Sequence, residues 1–130
     1  MTIRSLLLGA VAVAALGAGT AFAEDYAGGA IKSTDIGGKE VLTDAKGMSL
    51  YTYDKDTAGT STCVDKCAAN WPPAMADASA TAEGDFTLVD GAAGKIWAYK
   101  GKPLYTWAKD AKPGDTTGDG VGGVWHLATE

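Results

Sequence analysis

The order of apolar and polar positions divides the chain into short β segments separated by turn residues. Glu40-Val41-Leu42-Thr43 opens a strand, and Asp44-Ala45-Lys46-Gly47 is a turn signal. Ser49 to Tyr53 then alternates among Ser, Leu, Tyr, Thr and Tyr, residues that suit a pleated, half-buried surface. The pattern predicts a β-hairpin. A second one follows: Lys95 to Tyr99 is a strand, Lys100-Gly101 a turn, and Pro103 to Trp107 the return. Pro103 cannot donate to a ladder, which places it at an edge or beside the turn. Phe86 to Val89 and Val124 to Ala128 read as further strands, with Asp90-Gly91 as a turn. Thr62 to Asn70 predicts one or two helical turns, with Thr62 as N-cap, Asp65 at the third helical position and Trp71-Pro72-Pro73 as the stop. Glu24 to Ser33, Ala74 to Gly84 and the Gly- and Asp-rich stretch Asp110 to Gly123 read as loops.

The two hairpins are copies. Lys46-Gly47-Met48-Ser49-Leu50-Tyr51-Thr52-Tyr53-Asp54-Lys55-Asp56 and Lys100-Gly101-Lys102-Pro103-Leu104-Tyr105-Thr106-Trp107-Ala108-Lys109-Asp110 align without a gap at an offset of 54 residues. At the same offset Trp71 falls on Trp125, Asp65 on Asp119 and Thr62 on Thr116. A repeat sets the fold before any single motif does. The expectation is a mainly β, small single domain of two tandem hairpin units with one short helix. Repeat 1 covers about 41–75 and repeat 2 about 95–129, within a domain 41–130 preceded by a lead-in 24–40.

Residues 1–23 stand apart. Arg4 precedes an apolar run from Leu6 to Leu16, and Ala21-Phe22-Ala23 is a small-x-small site followed by Glu24 and Asp25. This is the pattern of a secretory signal peptide cut after Ala23, which predicts a periplasmic or secreted protein. The apolar run is short for a membrane span and contains Gly9, and no Cys follows it to carry a lipid. The remaining chain carries a formal charge of −6. That acidity argues against nucleic acid and anionic membrane as partners. The expectation is a monomer with an envelope partner or ligand that the sequence does not identify.

Tyr51 to Asp56 and Tyr105 to Asp110 both fit Y-x-[FWY]-x-x-D. Cys63-Val64-Asp65-Lys66-Cys67-Ala68-Ala69-Asn70-Trp71-Pro72-Pro73 fits a C-x-x-x-C-A-x-x-W-P-P block between them, and Gly118 to His126 a closing Gly-rich run. Together these resemble the bacterial secreted-repeat family, also described as predicted lipoproteins with the Y-x-[FWY]-x-x-D motif. The resemblance runs from about Val41 to Ala128. It implies export and a biochemical role that is not known. The absent lipobox Cys means that lipid anchoring does not carry over.

Candidate chemistry is sparse. Tyr51, Tyr53, Tyr105 and Trp107 could form a stacking platform for a ligand. A repeated corner needs the same residues for packing, with Asp56 and Asp110 holding turn amides and Trp71 and Trp125 as matching anchors. Cys63 and Cys67 are the only cysteines, and in an oxidising compartment nearby thiols pair. The alternative is a copper or redox site that adds His126 and Met75 to the two thiolates. Thr117 and Val121 occupy the repeat-related positions, so the second unit has no such pair. Asp110, Asp115 and Asp119 do not fit the spacing of a calcium loop. With one His and no Gly-x-Ser-x-Gly, no catalytic residues are expected. The reading is an exported non-enzymatic envelope protein, a binding or interaction module without a cofactor, with copper as the alternative.

Overall fold

The computed structural model describes residues 24–130. Residues 1–23, expected to be a signal peptide, lie outside the described residues. Strands β1 (Glu24–Tyr26), β2 (Ile31–Ile36) and β3 (Lys39–Asp44) form one antiparallel sheet. Strands β5 (Phe86–Gly91), β6 (Gly94–Tyr99) and β7 (Lys102–Pro103) form a second, and β4 (Tyr51–Tyr53) with β8 (Trp125–Leu127) a third. Among the described residues one short α-helix, α1 (Lys66–Asn70), is present, between β4 and β5. The domain is mainly β, as the alternation of residues predicts.

The repeat begins earlier than its sequence signature. The hairpin β2–β3 turns at Gly37-Gly38 and β5–β6 at Ala92-Ala93, and the two correspond position by position. Val41, Leu42 and Thr43 are buried in β3 just as Ile96, Trp97 and Ala98 are in β6. The lead-in 24–40 is therefore not loose: it supplies β1 and β2. Its Gly and Ala content hides a strand, because among residues 25–40 only Ile31 and Ser33 are buried.

Each copy ends in an extended tail, and the tails are exchanged. Leu42 N–H donates to Ala128 O (2.8 Å), Ala128 N–H to Leu50 O (2.8 Å) and Leu50 N–H to Leu42 O (2.9 Å). The same ring recurs in the second copy. Trp97 N–H donates to Ala74 O (2.9 Å), Ala74 N–H to Leu104 O (2.9 Å) and Leu104 N–H to Trp97 O (3.0 Å). Further along, Glu130 N–H reaches Glu40 O, and Ala76 N–H reaches Lys95 O. The tail after Trp125 thus completes the first hairpin, and the tail after Trp71 completes the second. Ala74 and Met75, expected in a loop, are paired with β6 for this reason.

The two halves meet at Tyr51 and Tyr105. Each donates its backbone N–H to the other's carbonyl, at 2.7 and 2.9 Å. Beneath this pair the rings of Tyr53, Trp125, Trp71 and Trp107 stack in one column, with successive centroids 4.2, 3.7 and 4.0 Å apart. Tyr51 and Tyr105 meet the inner tryptophans edge-on at 5.4 and 5.2 Å. Such offset and edge-on contacts suit the ring quadrupole.

The helix starts at Lys66 after Asp65, which has φ +57° and makes no capping hydrogen bond. Thr62 is not the N-cap; its N–H and hydroxyl are held by Asp56 instead. Trp71 closes the helix ahead of Pro72, as expected.

Trp71 and Trp125 are each 4% exposed and occupy equivalent places in the column. Trp71→Ala and Trp125→Ala should each cost about 3–5 kcal/mol, the range for deleting a large buried aromatic. Guanidinium unfolding of the two variants checks this, and unequal losses would show that the copies are not energetically equivalent.

Candidate functional site

The polar residues of the motif are drawn into the core by pairing across the repeats. Tyr51 donates its hydroxyl to Asp110 Oδ2 at 2.7 Å, and Tyr105 donates to Asp56 Oδ2 at 2.6 Å. Each carboxylate's other oxygen holds a threonine. Asp110 Oδ1 accepts from Thr117 N–H (3.0 Å) and Oγ1 (2.6 Å), and Asp56 Oδ1 from Thr62 N–H (2.7 Å) and Oγ1 (2.8 Å). Tyr51 Oη in turn accepts from Gly118 N–H, and Tyr105 Oη meets Ser61 Oγ. Burying a polar group is tolerated when it is partnered in this way.

The partners also correct the alignment. Thr62 is matched in role by Thr117, not Thr116, so the second copy carries one extra residue after Asp110 and recovers the register before Trp125. Gly118 lies against the column: a Cβ there would come within 2.8 Å of the Trp71 ring and 3.0 Å of Trp107. The close approach, not a turn, requires glycine here.

Both phenols have their pKa raised, first by burial and then by the hydrogen bond to the carboxylate. These residues therefore form an architectural unit. Only Tyr53 and Trp107, at the two ends of the column, are half-exposed.

Cys63 and Cys67 form a disulfide, with Cα atoms 5.1 Å apart, packed against this aromatic cluster. The pairing occupies both thiols that the copper alternative needs. His126 Nε2 lies 2.8 Å from Asp54 Oδ2 on the exposed face of β4–β8, and Met75 lies beside Gly94 and Ile96. Among the described residues no group of three or more His, Cys, Asp or Glu is placed to hold a metal ion. The loop acids that could suggest calcium each hold backbone amides. Asp115 takes those of Ala111 and Lys112, and Asp119 that of Leu127.

The described residues also form concave surfaces. A cleft of about 610 Å³ lies between the 3-10 turn at Ala27–Gly29 and the segment joining the repeats. Asp77, Ser79, Thr81 and Glu83 stand on one wall, with Met75 and Trp97 also lining it. Met75 is 46% exposed. Trp97 is 3% exposed, and its indole Nε1 is buried without a hydrogen-bond partner. A smaller groove of about 300 Å³ holds Thr52, Asp54, Lys100, Lys102 and His126. The sequence reading places Trp97 in the strand Lys95 to Tyr99 and gives it no further role. Its structural counterpart is Leu42, which the hairpin registers show and the 54-residue offset, setting Trp97 on Thr43, does not.

The family of secreted repeats of unknown function matches residues 37–75 and 87–129. The chain belongs to this family. No curated protein and no solved structure matches it. The two matched segments coincide with the two copies, and among the described residues no helix is long and apolar enough to cross a membrane.

Tyr51→Phe should cost about 1–3 kcal/mol by leaving a buried Asp110 oxygen unpaired, and Tyr105→Phe less, because Asp56 is only half-buried and water can replace the phenol there. The raised phenol pKa values also fix a pH dependence. Stability from this source is fully present below about pH 10, where an unfolded Tyr titrates, and is lost as pH rises further. Denaturation followed by circular dichroism from pH 8 to 12 should show this loss, and Tyr51→Phe/Tyr105→Phe should flatten it.

Proposed function

We propose that this secreted-repeat protein is a non-enzymatic binding module of the bacterial envelope, released by cleavage after Ala23, and that its ligand occupies the cleft beside Trp97. The observation that supports the reading is that Trp97 lines the cleft while its buried indole N–H has no hydrogen-bond partner within the protein. A buried donor left unpaired costs roughly 1–3 kcal/mol, so its presence in a native structure asks for a compensating acceptor. A ligand carbonyl or hydroxyl oxygen is such an acceptor. Met75 offers an apolar contact beside it, and the hydroxyls of Ser79 and Thr81 with the carboxylates of Asp77 and Glu83 offer polar ones. The ligand class is a small polar molecule that carries both an acceptor and donor groups.

The asymmetry of the repeats supports this reading. Motif residues shared by both copies are occupied in the core, whereas Trp97 has Leu42 as its counterpart. Binding chemistry belongs where the copies differ.

The test is an indole NMR titration of ¹⁵N-labelled protein with two sets of small probes, one of amides and one of polyols. The expected result is a saturable shift of the Trp97 indole resonance, with the three other indoles unmoved and the response abolished by Met75→Asp. If neither probe set moves the Trp97 indole, the reading is abandoned.

A further inference from the structure

We propose that the chain also pairs with a second copy of itself, opening at the segment between its repeats so that each molecule's tails complete the other's hairpins. Nearly everything that holds the two halves together runs between them. The Tyr51–Asp110 and Tyr105–Asp56 bonds, the Tyr51–Tyr105 backbone pair and both exchanged tails each take one partner from residues 24–76 and the other from 86–130. None of these contacts depends on the two partners being in one chain. Exchange of identical elements between protomers is a low-cost route to a dimer, because the contacts are already optimised.

The covalent link is suited to opening. Residues 77–85 are exposed apart from Ala80. Their hydrogen bonds are mostly local, Ala80 N–H to Asp77 O and the Glu83–Phe86 pair; Glu83 Oε1 and Asp85 O reach Ala27 and Lys100. Gly84 sits at φ +58°, a conformation that glycine adopts without strain. The disulfide joins residues four apart within one half, so opening neither breaks it nor requires it to reshuffle.

Length decides which form prevails. Ala76 lies beside Lys95 on one side of β6, and Phe86 lies beside Tyr99 on the other. Four residues along a strand and two strand spacings across it separate these points by roughly 16 Å. The native link covers that span easily. A tether of this kind gives an effective concentration of about millimolar, so closure within one chain wins in dilute solution. Deleting Ala78–Glu83 leaves four Cα steps, at most about 14 Å, which is too short to close within one chain.

The experiment refolds the full chain after signal removal from denaturant, as an equimolar mixture of two forms that differ in a mass tag. Refolding is carried out at about 10 μM and above about 1 mM, followed by size exclusion and native mass spectrometry. Folded dimers containing both tags are expected at high concentration, with their fraction falling at least tenfold on dilution before refolding. The chain lacking Ala78–Glu83 is expected to be dimeric at both concentrations. Only monomers from the full chain at high concentration would overturn the proposal, whether or not the shortened chain folds. A folded monomer of the shortened chain would overturn it equally.

Discussion

The structure depends on a reciprocal bond between two tyrosines and two aspartates. Tyr51 and Tyr105 exchange backbone hydrogen bonds with each other and send their hydroxyls to the far repeat's aspartate. Each phenol is anchored in one copy and satisfied in the other. Neither copy can bury its own tyrosine without the second, because the acceptor would be missing and an unpaired buried polar group is costly. The spacing Y-x-[FWY]-x-x-D is therefore a two-body rule. Its tyrosine and its aspartate face different partners, and both bonds close only where two copies meet.

The aromatic column follows from the same constraint. Fixing the two tyrosines fixes the strands that carry Tyr53 and Trp107, which cap Trp125 and Trp71 from outside. The inner tryptophans lie nearly parallel, 3° apart, because they are equivalent residues meeting across the relation that pairs the halves. The tail after each tryptophan then points at the opposite hairpin, where its backbone completes a ring of three hydrogen bonds. One domain results from two units because the joining contacts are polar as well as apolar. A purely hydrophobic interface could slip; hydrogen-bonded carboxylates set a single register.

Much of this was legible in the sequence. The offset of 54 residues identified two units, and the alternation around Tyr51 and Tyr105 identified strands. The place of Trp71 and Trp125 as matched anchors followed from their equivalence. Asp56 and Asp110 do hold loop amides, as short acidic side chains after a strand commonly do. What the sequence did not carry was the crossing. Local patterning cannot show that Asp110 belongs to Tyr51 instead of Tyr105, because both assignments have the same composition. The start of the repeat was hidden for another reason. Ile31-Lys32-Ser33 and Phe86-Thr87-Leu88 fill the same hairpin positions with different side chains, since only their outline is constrained by the sheet. The cleft was invisible because it arises where the link between repeats passes Trp97, whose counterpart Leu42 the 54-residue offset does not show.

The cleft and the link are one feature seen from two sides. Asp77, Ser79, Thr81 and Glu83 wall the cleft, and they are also the segment that must swing away for the halves to separate. A ligand that bridges Trp97 to that wall binds the closed chain and not the open one. By linkage it must shift the balance toward the closed form by the ratio of its affinities for the two. The symmetric core is indifferent to this choice, since its bonds are the same in either arrangement. Regulation of assembly, where it exists, can only act through residues that the repeats do not share.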